Sequence, residues 1–236
     1  NLLLPLRGDP LAPAPHTAPP SPTMEFTRIL ALRHGETTWN QDKRLQGHLD
    51  IPLNPRGYWQ AARAADALRE EAIAAVYSSD LERAHQTASA IATALAMDVR
   101  THSGLRERHF GDFQGKTWTE LELEEPEATL AWRTRVPDFA PGGGGETLLQ
   151  LRERIESTIN EIAARHSGEQ IVIVAHGGVL DMLYRLATGL EVQAPRTWLV
   201  ENAAIHRLLW TPEGLSLVGW ADRGHLEETS DDDTST

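Results

Sequence analysis

Apolar positions in this chain follow two rhythms that alternate along its length. Short continuous apolar runs, Arg28-Ile-Leu-Ala-Leu32, Ala74-Ala-Val-Tyr-Ser78 and Ile171-Val-Ile-Val-Ala175, read as buried strands. The last is β-branched almost throughout, which implies burial on both faces, as in a parallel sheet. Between these runs the spacing changes to that of helices. Ala61, Ala64, Ala65 and Leu68 fall at i, i+3, i+4 and i+7, one face of a helix. Leu81–Ala96 is Ala-rich and predicts a second helix. Leu148, Leu151, Ile155, Ile159 and Ile162 form the stripe of a long third one, with the glycine run 142–145 leading into it and Gly168 leading out. A helix over Val179–Thr188 follows the 171–175 strand directly. Two last strands, Ile205–Trp210 and Leu215–Trp220, flank a Thr-Pro-Glu-Gly turn. Strand–helix alternation of this kind predicts an α/β fold, three-layered and doubly wound around a mostly parallel sheet. No internal repeat interrupts it.

The two ends of the chain differ from this middle. Residues 1–23 hold seven of the fourteen prolines and predict an extended, disordered N-terminal extension. Met24, just before the first strand, is the expected natural start. Residues 226–236 are acidic, without Lys or Arg, and predict a solvated tail. The globular domain is thus expected over 24–225. Its 40% apolar content suffices for a core. With 22 Lys+Arg against 34 Asp+Glu, the formal charge is −12, unlike that of a protein that grips nucleic-acid backbones. An anionic substrate would need a local positive pocket. Cysteine is absent, which excludes disulfides, thiolate metal sites and cysteine nucleophiles, and fits a reducing cytoplasm. No apolar run approaches the ~18–20 residues that span a bilayer, so no membrane role is expected.

Ligands of open α/β sheets bind beyond the carboxyl ends of the strands. Three of the predicted strands end in Arg33-His34-Gly35-Glu36-Thr37, in Ser79-Asp80-Leu81-Glu82-Arg83 and in His176-Gly177-Gly178. Two imidazoles and two guanidiniums are thereby delivered towards one edge. Arginine forks match phosphate oxygens in a bidentate way. The glycines permit close backbone approach, and the helix start after them offers free N–H groups to an anion. This constellation suits a phosphoryl group.

The same residues resemble the signature of the histidine phosphatase superfamily, the phosphoglycerate mutase-like proteins. Leu32-Arg33-His34-Gly35-Glu36-Thr37 with Trp39-Asn40 carries the likeness, and further segments follow in the family's order. These are Gln46-Gly47 with Asp50–Leu53, Ser78–Ala84 with Thr87-Ala88, Leu105-Arg-Glu107, and Ala175–Gly178. The similarity runs over roughly residues 26–222. It implies that His34 is the nucleophile, forming a phosphohistidine, and that Arg33, Arg83 and His176 hold the equatorial phosphoryl oxygens. Glu107 would be the general acid and base. Asn40, Gln46, Gly47 and Gly177 would contact the phosphate or the rest of the substrate. No metal and no other cofactor is implied. Relatives of this fold often dimerise, so a homodimer is an expectation.

Within such a family one pocket serves hydrolysis or phosphoryl transfer. Mutases resemble one another in a tyrosine three residues after the acid and a lysine eleven after it. Here Phe110 and Trp118 stand there, and Gly144-Gly145-Glu146-Thr147 resembles the loop of phosphatase-type members. The expectation is therefore a phosphatase for a small phosphate ester, such as a sugar phosphate, a phosphoglycerate or a ribazole phosphate. A mutase is the alternative, and a non-catalytic phosphate-binding module a remoter one. A small helical cap over about 110–141 would set substrate choice. Phe110, Phe113, Trp118 and Trp132 are read either as its apolar wall or as stitches to the core. Glu36 is expected to orient the site. Of the other histidines, His48 and His109 come nearest to a substrate role.

Overall fold

The computed structural model describes residues 25–227, so the readings of 1–23, of Met24 and of 228–236 lie outside the described residues. Among the described residues, six strands form one sheet: β1 (Thr27–Arg33), β2 (Ala75–Ser78), β3 (Val99–Thr101), β4 (Gln170–Ala175), β5 (Ile205–Thr211) and β6 (Gly214–Asp222). Their spatial order is β3-β2-β4-β1-β5-β6. The first four strands run parallel to one another, while β5 is antiparallel to β1 and to β6. The sheet is mostly parallel, as expected. β4 lies between β2 and β1, and five of its six residues are buried, which accounts for its unbroken apolar run.

Seven α-helices join these strands: α1 (Thr38–Gln41), α2 (Pro55–Leu68), α3 (Glu82–Ala94), α4 (Trp118–Glu124), α5 (Pro126–Arg133), α6 (Leu148–Ala163) and α7 (Gly177–Thr188), again among the described residues. Strand side chains alternate between the faces of the sheet, and the core divides accordingly. Ile29, Ala31, Ile171 and Ile173 pack on one face with Leu151, Ile155 and Ile159 of α6 and with Leu180 and Leu183 of α7. Leu30, Leu32, Val172 and Val174 pack on the other with Ala64 and Leu68 of α2 and with Ala88 and Ile91 of α3. Three layers result.

Helix starts follow local chemistry. Asn54 caps α2, accepting from Gly57 N–H, with Pro55 at the first helical position. Thr147 and Gln150 close a reciprocal cap on α6, and Thr117 and Glu120 do the same on α4. The segment 110–141 holds the short helices α4 and α5. Strand β3 carries no apolar pattern, because its three residues lie at the sheet edge and are half-buried or exposed.

Parallel pairing places the site. Arg33 pairs with Ala175 and Ser78 with Val174, so β1, β2 and β4 end level with one another. One more backbone bond, His34 N–H to Ala175 O at 3.0 Å, sets His34 beside the residue that follows, His176.

Candidate active site

His34 and His176 stand with ring centroids 5.2 Å apart, and both are almost wholly buried. His34 Nδ1 lies 2.7 Å from the carbonyl of Gly35. A carbonyl can only accept, so Nδ1 carries the proton and Nε2 presents its lone pair. Arg83 Nε donates towards that Nε2 at 3.3 Å. Burial, then the nearby Arg83 and Arg33 charges, lower the His34 pKa well below its ordinary value. The imidazole is therefore neutral at neutral pH.

His176 is held through Ser79, whose Oγ lies 2.8 Å from Nε2. Ser79 Oγ accepts from Leu81 N–H and makes no further hydrogen bond among the described residues, so its own proton is satisfied only by pointing to Nε2. That leaves the proton of His176 on Nδ1, a buried atom without a hydrogen-bond partner among the described residues. Burial, with Arg83, His34 and Arg33, keeps this ring neutral as well. His176 thus presents an N–H donor held for an acceptor from elsewhere.

The two arginines are fixed by backbone carbonyls. Arg83 donates Nη1 to Leu49 O and Nη2 to Gly47 O, both at 2.7 Å. Gly47 turns its carbonyl there from a left-handed backbone, φ +56°, and a Cβ would overlap Gln114 Oε1. Burial lowers the Arg83 pKa to about 10, with Glu107 opposing, which still leaves a cation. Arg33 donates Nη1 to Val200 O at 2.9 Å, while its buried Nε has no partner among the described residues.

Glu107 lies across from them. Its Oε1 accepts from Arg108 N–H at 2.7 Å and its Oε2 from Gly178 N–H at 3.0 Å. This corrects the reading of a free helix start. The helix begins at Gly177 rather than at Val179, with His176 as its cap residue, and the anion at its N-terminus includes the protein's own carboxylate. Gly178 also has to be glycine, because a Cβ would overlap Glu107 Oε1. Gly178→Ala should displace the carboxylate and lower kcat about 10- to 100-fold with the fold retained. Steady-state kinetics beside a thermal melt would check this, and an unchanged kcat would show that the position of Glu107 is not critical.

A cavity of about 390 Å³ opens between these groups, and Arg33, Asn40, Gln46, Gly47, Arg83, Glu107 and Gly177 all line it. His34 and His176 are not among the lining residues; His34 meets the lining through Arg83. Asn40 Oδ1 caps α1 by accepting from Thr37 N–H at 3.0 Å, and Gln46 Oε1 accepts from Thr37 Oγ1 at 2.9 Å. The residues that the resemblance assigns to the site are therefore brought together. Three of the aromatic residues, Phe110, Trp118 and Trp132, line the cavity, whereas Phe113 is fully buried against Trp132 and Phe139, inside the 110–141 segment itself.

Other expectations change. Glu36 Oε1 accepts from Asn54 Nδ2 at 3.0 Å, so its side chain orients the cap of α2, not the histidines. His48 does not line the cavity; its Nε2 lies 2.7 Å from Glu107 O and supports the backbone there. His109 packs on His48 and accepts from Gly111 N–H through Nδ1. Sequence reasoning misses Ser79, Arg44 and Arg196 as site residues. Ser79 is in view within a motif, but its bond to His176 spans 97 positions of sequence. Arg44 and Arg196 carry no sequence signal, since neither belongs to a motif or a periodic pattern.

The model of the histidine phosphatase superfamily (branch 1) matches residues 29–223. Phosphoglycerate mutase-like protein 4 of Arabidopsis thaliana is 40% identical over 212 residues, covering 89% of this chain and 91% of that protein. The metal-independent phosphoserine phosphatase of the same plant is 40% identical over 204 residues, covering 86% of this chain and 84% of that one. Among solved structures, a mycobacterial glucosyl-3-phosphoglycerate phosphatase superposes with a TM-score of 0.75 at 32% identity, covering 84% of this chain and all of that one. Paired strand-end histidines, two backbone-anchored arginines and a match across nearly the whole domain agree: this chain belongs to the histidine phosphatase superfamily.

Proposed function

We propose that this protein hydrolyses small phosphate monoesters through a phosphohistidine on His34. The observation that carries the reading is the His34 ring itself, with Nδ1 held by Gly35 O and the Nε2 lone pair facing Arg83. In the first step Nε2 bonds phosphorus as the ester P–O bond breaks, and the Arg83 contact to Nε2 gives way. Arg33 and Arg83 with the His176 Nδ1–H bind the three equatorial oxygens and offset the charge spread over them. Glu107 takes the proton of the bound ester's monoanion and passes it to the departing alkoxide. In the second step Glu107 takes a proton from water, the resulting hydroxide bonds phosphorus, and the P–N bond breaks to return neutral His34. Asn40, Gln46, Gly47 and Gly177 shape the pocket around the ester. The cytoplasm is the compartment proposed, in keeping with a chain free of cysteine.

Hydrolysis is favoured over mutase transfer by the wall of the cavity. Phe110 and Trp118, at the positions where mutases resemble one another in a tyrosine and a lysine, both line it and supply no cation there. The relatives named above as phosphatases act on phosphoserine and on glucosyl-3-phosphoglycerate by their names, which supports a small phosphorylated metabolite as substrate. The deciding experiment is an assay with EDTA present on p-nitrophenyl phosphate and a panel of phosphorylated metabolites. In it 3-phosphoglycerate is followed for both phosphate release and 2-phosphoglycerate formation. Phosphate release supports the reading. Isomer formation without net release would replace it with the mutase, and silence throughout would favour the binding module.

The lowered His34 pKa makes a second prediction, whose sign follows from the nucleophile's having to be neutral. Protonation abolishes attack only below the folded-state pKa, which lies well under 6.5. The acid limb of kcat/KM, corrected for ionisation of the substrate, should therefore fall well below pH 6.5. A limb at 6.5 or above in the pH–rate profile would contradict the shielding of His34 by burial and the two arginines.

A further inference from the structure

Four arginines, Arg33, Arg44, Arg83 and Arg196, line the cavity against one acid, Glu107. In a chain of net charge −12, such a concentration of cations calls for more anionic charge than a phosphoryl group alone. Arg33 and Arg83 stand at the histidines. Arg44 donates to Gly115 O at 2.9 Å and faces Glu120 at 3.4 Å, so its charge is offset from within the cap.

Arg196 is held differently. Its Nε donates to Asp181 Oδ1 at 3.0 Å, and its two Nη atoms make no hydrogen bond among the described residues. Asp181 is 2% exposed and also accepts, through Oδ2, from Arg185 Nε and Arg135 Nη2, both at 2.9 Å. One carboxylate thus serves three guanidiniums and cannot neutralise them. Arg185 and Arg135 spend further nitrogens on backbone carbonyls. Arg185 Nη1 donates to Glu191 O and Ala194 O, and Arg135 Nε to Val192 O, all at 2.7 Å. These bonds fasten the connection between α7 and β5 to the helix that begins at Gly177. Arg196, its side chain 42% exposed, is thereby a preorganised fork in the cavity wall with its Nη pair unspent. It also stands near enough to Arg33 to be among the charges acting on it.

We propose that Arg196, aimed by Asp181, binds a carboxylate carried by the alcohol part of the substrate, so that the enzyme selects phosphate esters of hydroxy acids over those of neutral alcohols. The inference rests on the phosphatase reading of the same site. A planar carboxylate matches the two Nη donors of one guanidinium. A second phosphoryl group would bring about two charges, and of the remaining cavity arginines Arg44 is already offset by Glu120. Phe110, Trp118 and Trp132, which line the same cavity, offer apolar surface to the carbon skeleton.

The test compares 3-phosphoglycerate with glycerol 3-phosphate, in which a hydroxymethyl group replaces the carboxylate, for wild type, Arg196→Gln and Arg196→Lys. Wild type should prefer the acid, and Arg196→Gln should cut the ratio of the two kcat/KM values about 10- to 100-fold, chiefly through KM. Arg196→Lys should restore part of it, because the charge returns without the fork. A wild-type ratio near one, or a ratio unchanged in Arg196→Gln, overturns the proposal while leaving the phosphatase reading intact. The same comparison is made by calorimetric binding of both compounds to His34→Ala with and without Arg196→Gln. Selective binding of the acid that depends on Arg196, with wild type turning over none of the esters, would keep Arg196 as the carboxylate contact and sink the phosphatase. Absence of selectivity in both binding and turnover overturns the inference.

Discussion

His34→Ala should release phosphate on the order of 10⁴- to 10⁶-fold more slowly than wild type, the scale of losing a covalent nucleophile. The expected loss is in kcat, because Arg33 and the carbonyl-anchored Arg83 still hold the phosphoryl group. Binding of a phosphate ester should therefore survive in the variant. The fold should survive too, since His34 follows β1, outside the main apolar clusters, and its backbone bond to Ala175 is independent of the side chain. Rapid quenching of wild type should trap an acid-labile, base-stable phosphoenzyme, and the variant should yield none. Residual activity within about tenfold of wild type, in a variant that melts normally, would show that another group attacks phosphorus.

Glu107→Gln should lower kcat/KM, which reports phosphoenzyme formation, about 10²- to 10⁴-fold for alkyl phosphates, the range of general acid–base catalysis, and much less for p-nitrophenyl phosphate. The nitrophenolate leaves without a proton, whereas an alkoxide needs one in the transition state. The substitution keeps the size of the side chain, but the amide nitrogen it introduces cannot accept an N–H. One of the two donors now satisfied, Arg108 N–H or Gly178 N–H, would lose its partner. That positional cost falls on all substrates alike, so the difference between substrates isolates the proton transfer. Equal losses of kcat/KM on nitrophenyl and alkyl esters would mean that Glu107 does not protonate the leaving group.

The strands and major helices are legible in the sequence because their signals are local. A strand writes its burial into the period of its own side chains, so β1, β2, β4 and the stripe of α6 can be read directly. Parallel pairing of those strands then brings residues that follow them in sequence to one edge, which makes His34, His176, Arg33 and Arg83 readable as a group. Strand β3 escapes because three residues at an edge bury too little to leave a pattern. The aromatic residues of 110–141 divide between cavity lining and the buried interior of that segment, and no spacing carries that.

Residue types, their order and their nearness to strand ends therefore suffice for the fold class and for the candidate reacting groups. The proton positions on those groups are out of reach, because they depend on Gly35 O, on Ser79 and on the closure of α7 over Glu107. So is the Asp181 clamp, in which Arg135, Arg185 and Arg196 meet one buried carboxylate from three parts of the chain. Hydrogen bonds act over about 3 Å, and which donors come within that distance of an acceptor is settled by packing between distant segments.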